Sequence, residues 1–490
     1  MKKMMIFVML IASLLVMTCC SADDPFMGFS NGATEEWGNM NMPSPVGNGG
    51  SATLNVTLDR TSAEPAQTVS EYFPEEEDAL ENNSFTTLVN IDLSNPVAKS
   101  ENGVEVTVNG GHVKANHGSA KSICYVLSGT TANGSFTVVG DKKYAVKLNG
   151  ANITNPDSAA LNLLSSKRAY VILTDGTTNT LADGTGGTHK GALYCKGKLL
   201  FNGSGSLTVT GNTNNGIHSA DYIVFRKGNN VYAKSTANNG IKANDGIFIN
   251  GGILNVEVTA DDGKGINCES HILVNGGRTT VLASGYDCEG IQADSTLTIA
   301  GGEVASYAYD DAINSKGDLT ISGGYVYAQG LHNDGIDANG NCYIKGGLVY
   351  AICSGTPEVA IDANTEGGCK LYLTGGTVVA LGGLEDGSSL TQACYQSQSW
   401  SPNTWYTLTY GDNTFSFQTP SSGGSGLVVS TASTPSLESE TSVSGGESYF
   451  GGLGIIGGTV SNGTSESLSS YTSNGGMGGF PGGGGPGGWH

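Results

Sequence analysis

The chain has 490 residues, of which 75 are glycine and only 14% are charged, with a formal net charge of −21. Length alone would allow two or three domains, but this composition suits one glycine-cornered β solenoid better. A polyanion without clustered Lys and Arg excludes nucleic acid as a partner and favours cations instead.

Residues 1–24, MKKMMIFVMLIASLLVMTCCSADD, set two lysines before about 14 apolar residues and a cysteine pair. That is the order of a secretory signal, and the run is too short for a membrane span. Val16-Met17-Thr18-Cys19-Cys20 resembles a relaxed bacterial lipobox, which implies a signal over residues 1–20 and a lipid on Cys19 or Cys20. Plain cleavage without lipid is the competing reading. Asp23 and Asp24 resemble the export signal of Gram-negative lipoproteins displayed on the outer surface. The expectation is an extracytoplasmic protein tethered to the outer membrane without spanning it. Residues 21–84 mix Met, Asn, Gly, Pro and acid, including Glu75-Glu76-Glu77-Asp78, and read as a flexible spacer with little to bury.

Residues 85–190 carry strand-like runs at 103–108, 124–127, 136–139, 145–148 and 170–173 without a regular clock. They read as an N-terminal cap and irregular first coils, because an open solenoid end must be covered.

Residues 191–383 are regular. Ile217, Ile241, Ile266, Ile291, Ile313, Ile336 and Ile361 follow one another by 22 to 25 positions, and Leu193 stands one step earlier. Ten places after the isoleucine comes a Gly-Gly pair, beginning at Gly251, Gly276, Gly301, Gly323 and Gly346. The last copy reaches Gly375 after four inserted residues. Period-two runs such as Ile247-Phe248-Ile249 and Val326-Tyr327-Ala328 lie between these landmarks, giving three short strands per coil. A propeller blade would need roughly 40 residues per repeat. The prediction is an all-β, right-handed parallel β-helix with coils about 4.8 Å apart. Isoleucine and the small residue two places on fill its core.

Residues 384–432 read as a small C-terminal β cap, with strands at 405–410, 414–419 and 427–431. Residues 433–490, ending GGMGGFPGGGGPGGWH, read as a Ser/Gly tail without a core. The eight cysteines from Cys124 to Cys394 read as unpaired, since Cys195 and Cys268 share an inward slot three coils, about 14 Å, apart.

The run YVLSGTTANGSFTVVGDKKYAVKLNGANITNPDSAALNLLSSKRAYVILTDGTTNTLADG, followed by the isoleucine and Gly-Gly coils, resembles the bacterial cell-surface carbohydrate-binding parallel β-helix proteins. That family is described as binding cellulose and pectic polysaccharide and is related in fold to the family 9 pectate lyases. The resemblance covers roughly residues 100–420 and implies a polysaccharide partner and Ca2+ on the helix.

The columns of the repeat offer candidate sites of their own. Residues three and two before the isoleucine, and one after it, project outward at one corner, where acids concentrate: Asp310, Asp311 and Asn314, then Asn333, Asp334 and Asp337, then Glu358 and Asp362. Oxygens from neighbouring coils can converge there on one hard cation with six to eight ligands, whereas Mg2+ demands a tighter octahedron. By resemblance to the lyases, Asn333, Asp334 and Asp337 match the spacing of calcium ligands, with Asp311 as the neighbour. A second cluster is Asp261, Asp262, Asn267, Asp287 and Glu289. The competing reading is that Asp and Asn only make the corner turns. Against it, a pile of bare carboxylates repels.

On the strand after the glycines, Tyr325, Tyr327 and Tyr350 point outward as a row able to stack on sugar rings, with Tyr343 and Tyr372 outward on the preceding strand. A face covered by another segment would explain them equally. Lys242, Lys264, Lys316 and Lys345 lie on these coils, but none matches the position of a lyase base. The expectation is therefore non-catalytic, calcium-dependent polysaccharide binding. A calcium-dependent lyase and a surface adhesin without a sugar site are the alternatives.

Overall fold

The computed structural model describes residues 39–43, 53–57, 64–65, 69–353, 355 and 357–473. The expected signal segment with Cys19 and Cys20, and the glycine-rich residues 474–490, lie outside them. Among the described residues the chain is a parallel β-solenoid of about 11 turns, with only short 3-10 turns as helix.

Three ladders of short strands run along it, as three strands per coil predict. The first passes from Gly111–Asn116 through Gly134–Val139, Leu161–Leu163 and Gly191–Cys195 to Ile336–Ala338. Single bridges extend it to Ile361 and Leu384. Its register sets Leu193, Ile217, Ile241, Ile266, Ile291, Ile313, Ile336 and Ile361 one above another. All are buried, and each such side chain contributes about 1.5–3 kcal/mol. The Gly-Gly pair turns the second ladder into the third. Gly324 has φ +80°, and a Cβ there would lie 2.7 Å from the carbonyl oxygen of Gly302 one coil below. Only glycine meets both demands.

The early coils keep this register although their sequence keeps no clock: Leu161 pairs with both Phe136 and Leu193. Tyr144–Asn155 is one strand that serves two ladders, bending at Gly150 (φ +75°) instead of at a Gly-Gly pair. Both ends are closed by antiparallel strands, which remove open edges. Val104–Asn109 covers Gly111–Asn116, and Gly424–Ser430 covers Thr377–Leu381. The eight cysteines are free, as expected.

Two expectations are corrected. Residues 433–473 are not a coreless tail. Ser436–Ser444 and Thr459–Glu466 join Trp405–Tyr410 and Asn413–Gln418 in a six-stranded antiparallel sheet. Leu437, Phe450 and Leu453 anchor it, three apolar residues among many Ser and Gly. This sheet packs on the outward face of the third ladder, against Leu282, Tyr307, Tyr327, Leu348, Tyr350 and Val379.

Residues 69–84 are not a free spacer either. They form a strap over the second ladder, where Phe73 and Leu80, with Phe85 just after them, pack against Tyr170, Leu200, Tyr222 and Phe248. Its acids have counter-charges far along the chain. Arg168 pairs with Glu77 at 3.1 Å and Asp78 at 2.8 Å, and Arg226 pairs with Glu71 at 2.6 Å and Glu81 at 2.7 Å. Asp78 is fully buried and also accepts the Tyr222 hydroxyl at 2.7 Å.

Candidate metal centre

The corner between the third ladder and the first is built by one recurring hydrogen bond. Before Ile217, Ile241, Ile313 and Ile336, the side-chain oxygen two residues upstream accepts a backbone N–H of the next coil. Asn215 Oδ1 accepts from Asn239 N at 3.3 Å, and Asn239 Oδ1 accepts from Lys264 N at 2.9 Å. Farther along, Asp311 Oδ1 accepts from Asp334 N at 3.0 Å, and Asp334 Oδ1 accepts from Val359 N at 2.8 Å. Asparagine and aspartate thus do the same turn-making work, as the competing sequence reading anticipated. The aspartates add a second oxygen and a charge.

Those second oxygens meet the outward column of the first ladder. Register sets Asn314 opposite Asp337, and the bridges through Ile361 and Leu384 continue the column to Asp362 and Glu385. Asn314 Nδ2 donates to Asp311 Oδ2 at 3.1 Å and to Asp337 Oδ2 at 2.8 Å, while Asn314 Oδ1 is buried without a partner. Asp334, Asp337 and Asp362 each offer an oxygen, and these lie within 4.8 Å of one another. Oxygens at 2.3–2.6 Å from one ion stand up to about 5 Å apart, so the set fits a Ca2+ shell.

The electrostatics of the corner are strained in one direction. Burial pushes Asp334 up to about 8, helped by Asp362, Asp337 and Glu358, and pushes Asp337 up to about 7, helped by Asp362. Asp311 is held well above the carboxylate range by burial and then by Asp337, Asp310 and Asp334. Asp310, Glu289 and Glu358 are also raised, each first by burial. Among the described residues, no lysine or arginine pairs with Asp311, Asp334, Asp337 or Asp362. The neighbouring cations serve Glu289 (Lys264, 3.7 Å) and Asp294 (Lys316, 2.8 Å).

Of the remaining candidates, Asn333 hydrogen-bonds Asp310, and Glu289 is close enough to raise Asp337. Asp261, Asp262 and Asp287 are not drawn into the cluster. They sit in exposed turns, Asp262 and Asp287 with positive φ (57° and 51°), and Asp261 Oδ1 accepts Tyr286 N at 3.0 Å. Asn267 spends its amide on Gln292 at 3.1 Å. Glu385 escaped the sequence reading because the strand repeat ends at Leu381. The signal was Gly382-Gly383-Leu384-Glu385, an aliphatic residue and an acid in the same order as Ile336-Asp337 and Ile361-Asp362. Burial and a hydrogen bond with Asp362 raise Glu385 as well.

A family model described as carbohydrate-binding domain-containing protein matches residues 101–363, more than half of the chain and all of the corner up to Asp362. The chain belongs to this carbohydrate-binding family. It is similar, at 29% identity over 151 residues, to a carbohydrate-binding domain-containing protein of Acetivibrio thermocellus; the match covers 29% of this chain and 48% of the relative. The chain therefore spans about half the length of that relative. Among solved structures it is similar to the polysaccharide lyase-like protein from C. thermocellum, in its gadolinium derivative. Identity is 23%, coverage 54% of this chain and 92% of the other, and the TM-score 0.35, too low to transfer any property.

The predicted row of outward tyrosines is corrected. Tyr327 and Tyr350 point out of the third ladder as expected, but the C-terminal sheet covers them and leaves them 1% and 0% exposed. Phe450 and Phe417 lie against them. Tyr325, at the edge of the same cover, stacks on Tyr449 at 4.1 Å. None of the three offers a free ring to a sugar. Tyr343 and Tyr372 do remain partly exposed, stacked at 5.1 Å with Lys345 4.8 Å above Tyr343.

Proposed function

We propose that the protein binds polysaccharide through Ca2+ held at the acid corner, without cleaving it, outside the cell and tethered by lipid to the outer membrane. The observation that carries this reading is the change from Asn215 and Asn239 to Asp311 and Asp334 at positions whose turn hydrogen bonds either residue makes. Aspartates buried together without a counter-charge are costly unless a cation joins them. Asp334, Asp337 and Asp362, with Asp311 and the unpartnered Oδ1 of Asn314, would hold the ion. Bound Ca2+ would supply positive charge to an anionic sugar such as a uronate, reconciling the net charge of −21 with an acidic ligand. Membership of the carbohydrate-binding family supports a sugar ligand at a general level.

The lysines on these coils favour binding without cleavage. A lyase needs a base near the metal. Lys242 pairs with Glu269 at 2.9 Å, Lys264 with Glu289, Lys316 with Asp294, and Lys345 lies over Tyr343. Mixing the protein with polygalacturonate or cellulose, with and without EDTA, while following unsaturated product in the ultraviolet tests the reading. Calcium-dependent capture without product is the expected outcome. Product would make the protein a lyase, and no capture of either polymer would end the sugar-binding account. Fatty-acid labelling lost on Cys19→Ala or Cys20→Ala tests the tether.

A further inference from the structure

Immediately before the acids of three successive corners stands a ring: Tyr286 before Asp287, Tyr309 before Asp310-Asp311, His332 before Asn333-Asp334. The turns that carry them are tied coil to coil, Tyr309 N donating to Ala283 O at 2.9 Å and His332 N to Tyr309 O at 2.8 Å. The rings form a rail along the solenoid axis, with centroids 5.1 Å apart from Tyr286 to Tyr309 and 4.1 Å from Tyr309 to His332. Asp287 and Asp310 are near enough to perturb both Tyr309 and His332, so the rail borders the acid corner.

Internal packing accounts for only part of this rail: Tyr309 is half-buried against the main core, whereas Tyr286 and His332 are exposed. Phe201 and Phe225, stacked inside the solenoid, are fully buried and parallel to within 1° at 4.9 Å. The rail rings are instead tilted by 51° and 33°, and Tyr286 is 59% exposed. A ring left in water to that extent adds little to stability. Two features select the occupant. The chain belongs to a carbohydrate-binding family, and the whole rail lies within the matched residues 101–363. The surface also repeats one motif per coil, a ring followed by side-chain oxygens, which suits a ligand that itself repeats an apolar C–H face and a polar rim.

We infer that Tyr286, Tyr309 and His332 form the sugar-contacting rail of the protein, on which a uronate-containing polysaccharide lies along the solenoid axis with its carboxylates turned to the acid corner. This rests on the calcium-dependent binding proposed above and adds the residues that hold the sugar itself. The rings contact the pyranose faces, and the metal contacts the carboxylates. Losing a ring therefore weakens sugar binding and leaves calcium binding intact.

The test uses the full chain and the single variants Tyr286→Ala and His332→Ala, both at exposed positions, with Tyr286→Phe as the conservative control. Affinity for polygalacturonate in excess calcium and calcium affinity without sugar are measured side by side. The rail predicts a loss of roughly tenfold in polygalacturonate affinity for Tyr286→Ala, the size of one aromatic contact, with calcium affinity and melting temperature unchanged and binding kept by Tyr286→Phe. Wild-type polygalacturonate affinity in both alanine variants overturns the rail and leaves the calcium reading standing. Failure of the wild-type chain to bind calcium, with polygalacturonate still captured and the alanine variants still weaker, overturns the calcium reading and keeps the rail. Wild type that captures no polygalacturonate overturns both.

Discussion

The corner at Asn215 and Asn239 and the corner at Asp311 and Asp334 occupy the same register of the same ladder, six coils from end to end, and make the same backbone hydrogen bonds. They differ in what the second side-chain atom does. Asn215 and Asn239 close on themselves: Asn239 Nδ2 donates to Asn215 Oδ1 at 2.8 Å, and Asn215 Nδ2 donates to Lys190 O at 2.6 Å. The aspartates turn acceptor toward acceptor, with Asn314 as the one donor between Asp311 and Asp337. At these four positions the fold uses a side-chain oxygen that Asn and Asp supply equally, and Lys264 and Val359 hold the same place in other coils without one, so the fold does not require a carboxylate. The charge at Asp311 and Asp334 must therefore answer to something other than the fold.

The largest effect should ignore the difference between the two corners altogether. Ile217→Ala and Ile313→Ala remove the same buried anchor from each, and each should cost about 2–5 kcal/mol in chemical denaturation. A cost at Ile313 much below that at Ile217 would show that the acid coils are already loosened, and would break the premise of equal scaffolds.

Swapping the corners sharpens the comparison. Asn239→Asp replaces the donor to Asn215 Oδ1 with an acceptor in a buried place. It should destabilise by about 1–3 kcal/mol. Added calcium should not restore the loss, because among the described residues the converging carboxylates stand at Asp334, Asp337 and Asp362 instead. Restoration by calcium would mean that any acid at this corner makes a site.

A further effect is a pH dependence centred on the acid corner. Asp334 and Asp337 are raised when folded, to about 8 and about 7, from an unfolded value near 4. The folded state therefore holds more protons than the unfolded state between those limits, so stability falls as pH rises from about 4 to about 8 and levels off above. With EDTA present, the melting temperature should drop across that window. The drop should be smaller in Asp334→Asn/Asp337→Asn, where Asp311 and Glu385 are still raised, and should shrink when calcium is supplied. A flat profile in the wild-type chain would contradict the burial of these charges.

Much of the scaffold was legible because each coil repeats the same solution. An isoleucine every 22 to 25 residues and a Gly-Gly ten places later can be counted without knowing the fold, and both columns stand where counting put them. The acid column was legible for the same reason, down to Asp334, Asp337 and Asp362. What depends on distant sequence was not. That Tyr327 and Tyr350 face outward follows from alternation. That Phe415, Phe417 and Phe450 then cover them depends on a sheet assembled from residues 405–466. The acids Glu75 to Asp78 resemble a solvated run until Arg168, some 90 residues on, is folded against them. The rail of Tyr286, Tyr309 and His332 keeps a spacing of 23 residues but no single residue type, and the stacked turns reveal it.

The central claim is that the aspartate corner holds calcium and the asparagine corner does not. Isothermal titration of Ca2+ into EDTA-stripped full chain, beside Asp334→Asn/Asp337→Asn, tests it most directly. The account predicts saturable binding in the wild-type chain and an affinity lower by on the order of a hundredfold in the variant, since ligand charge sets calcium affinity. Equal binding by both proteins, or none by the wild type, would contradict it.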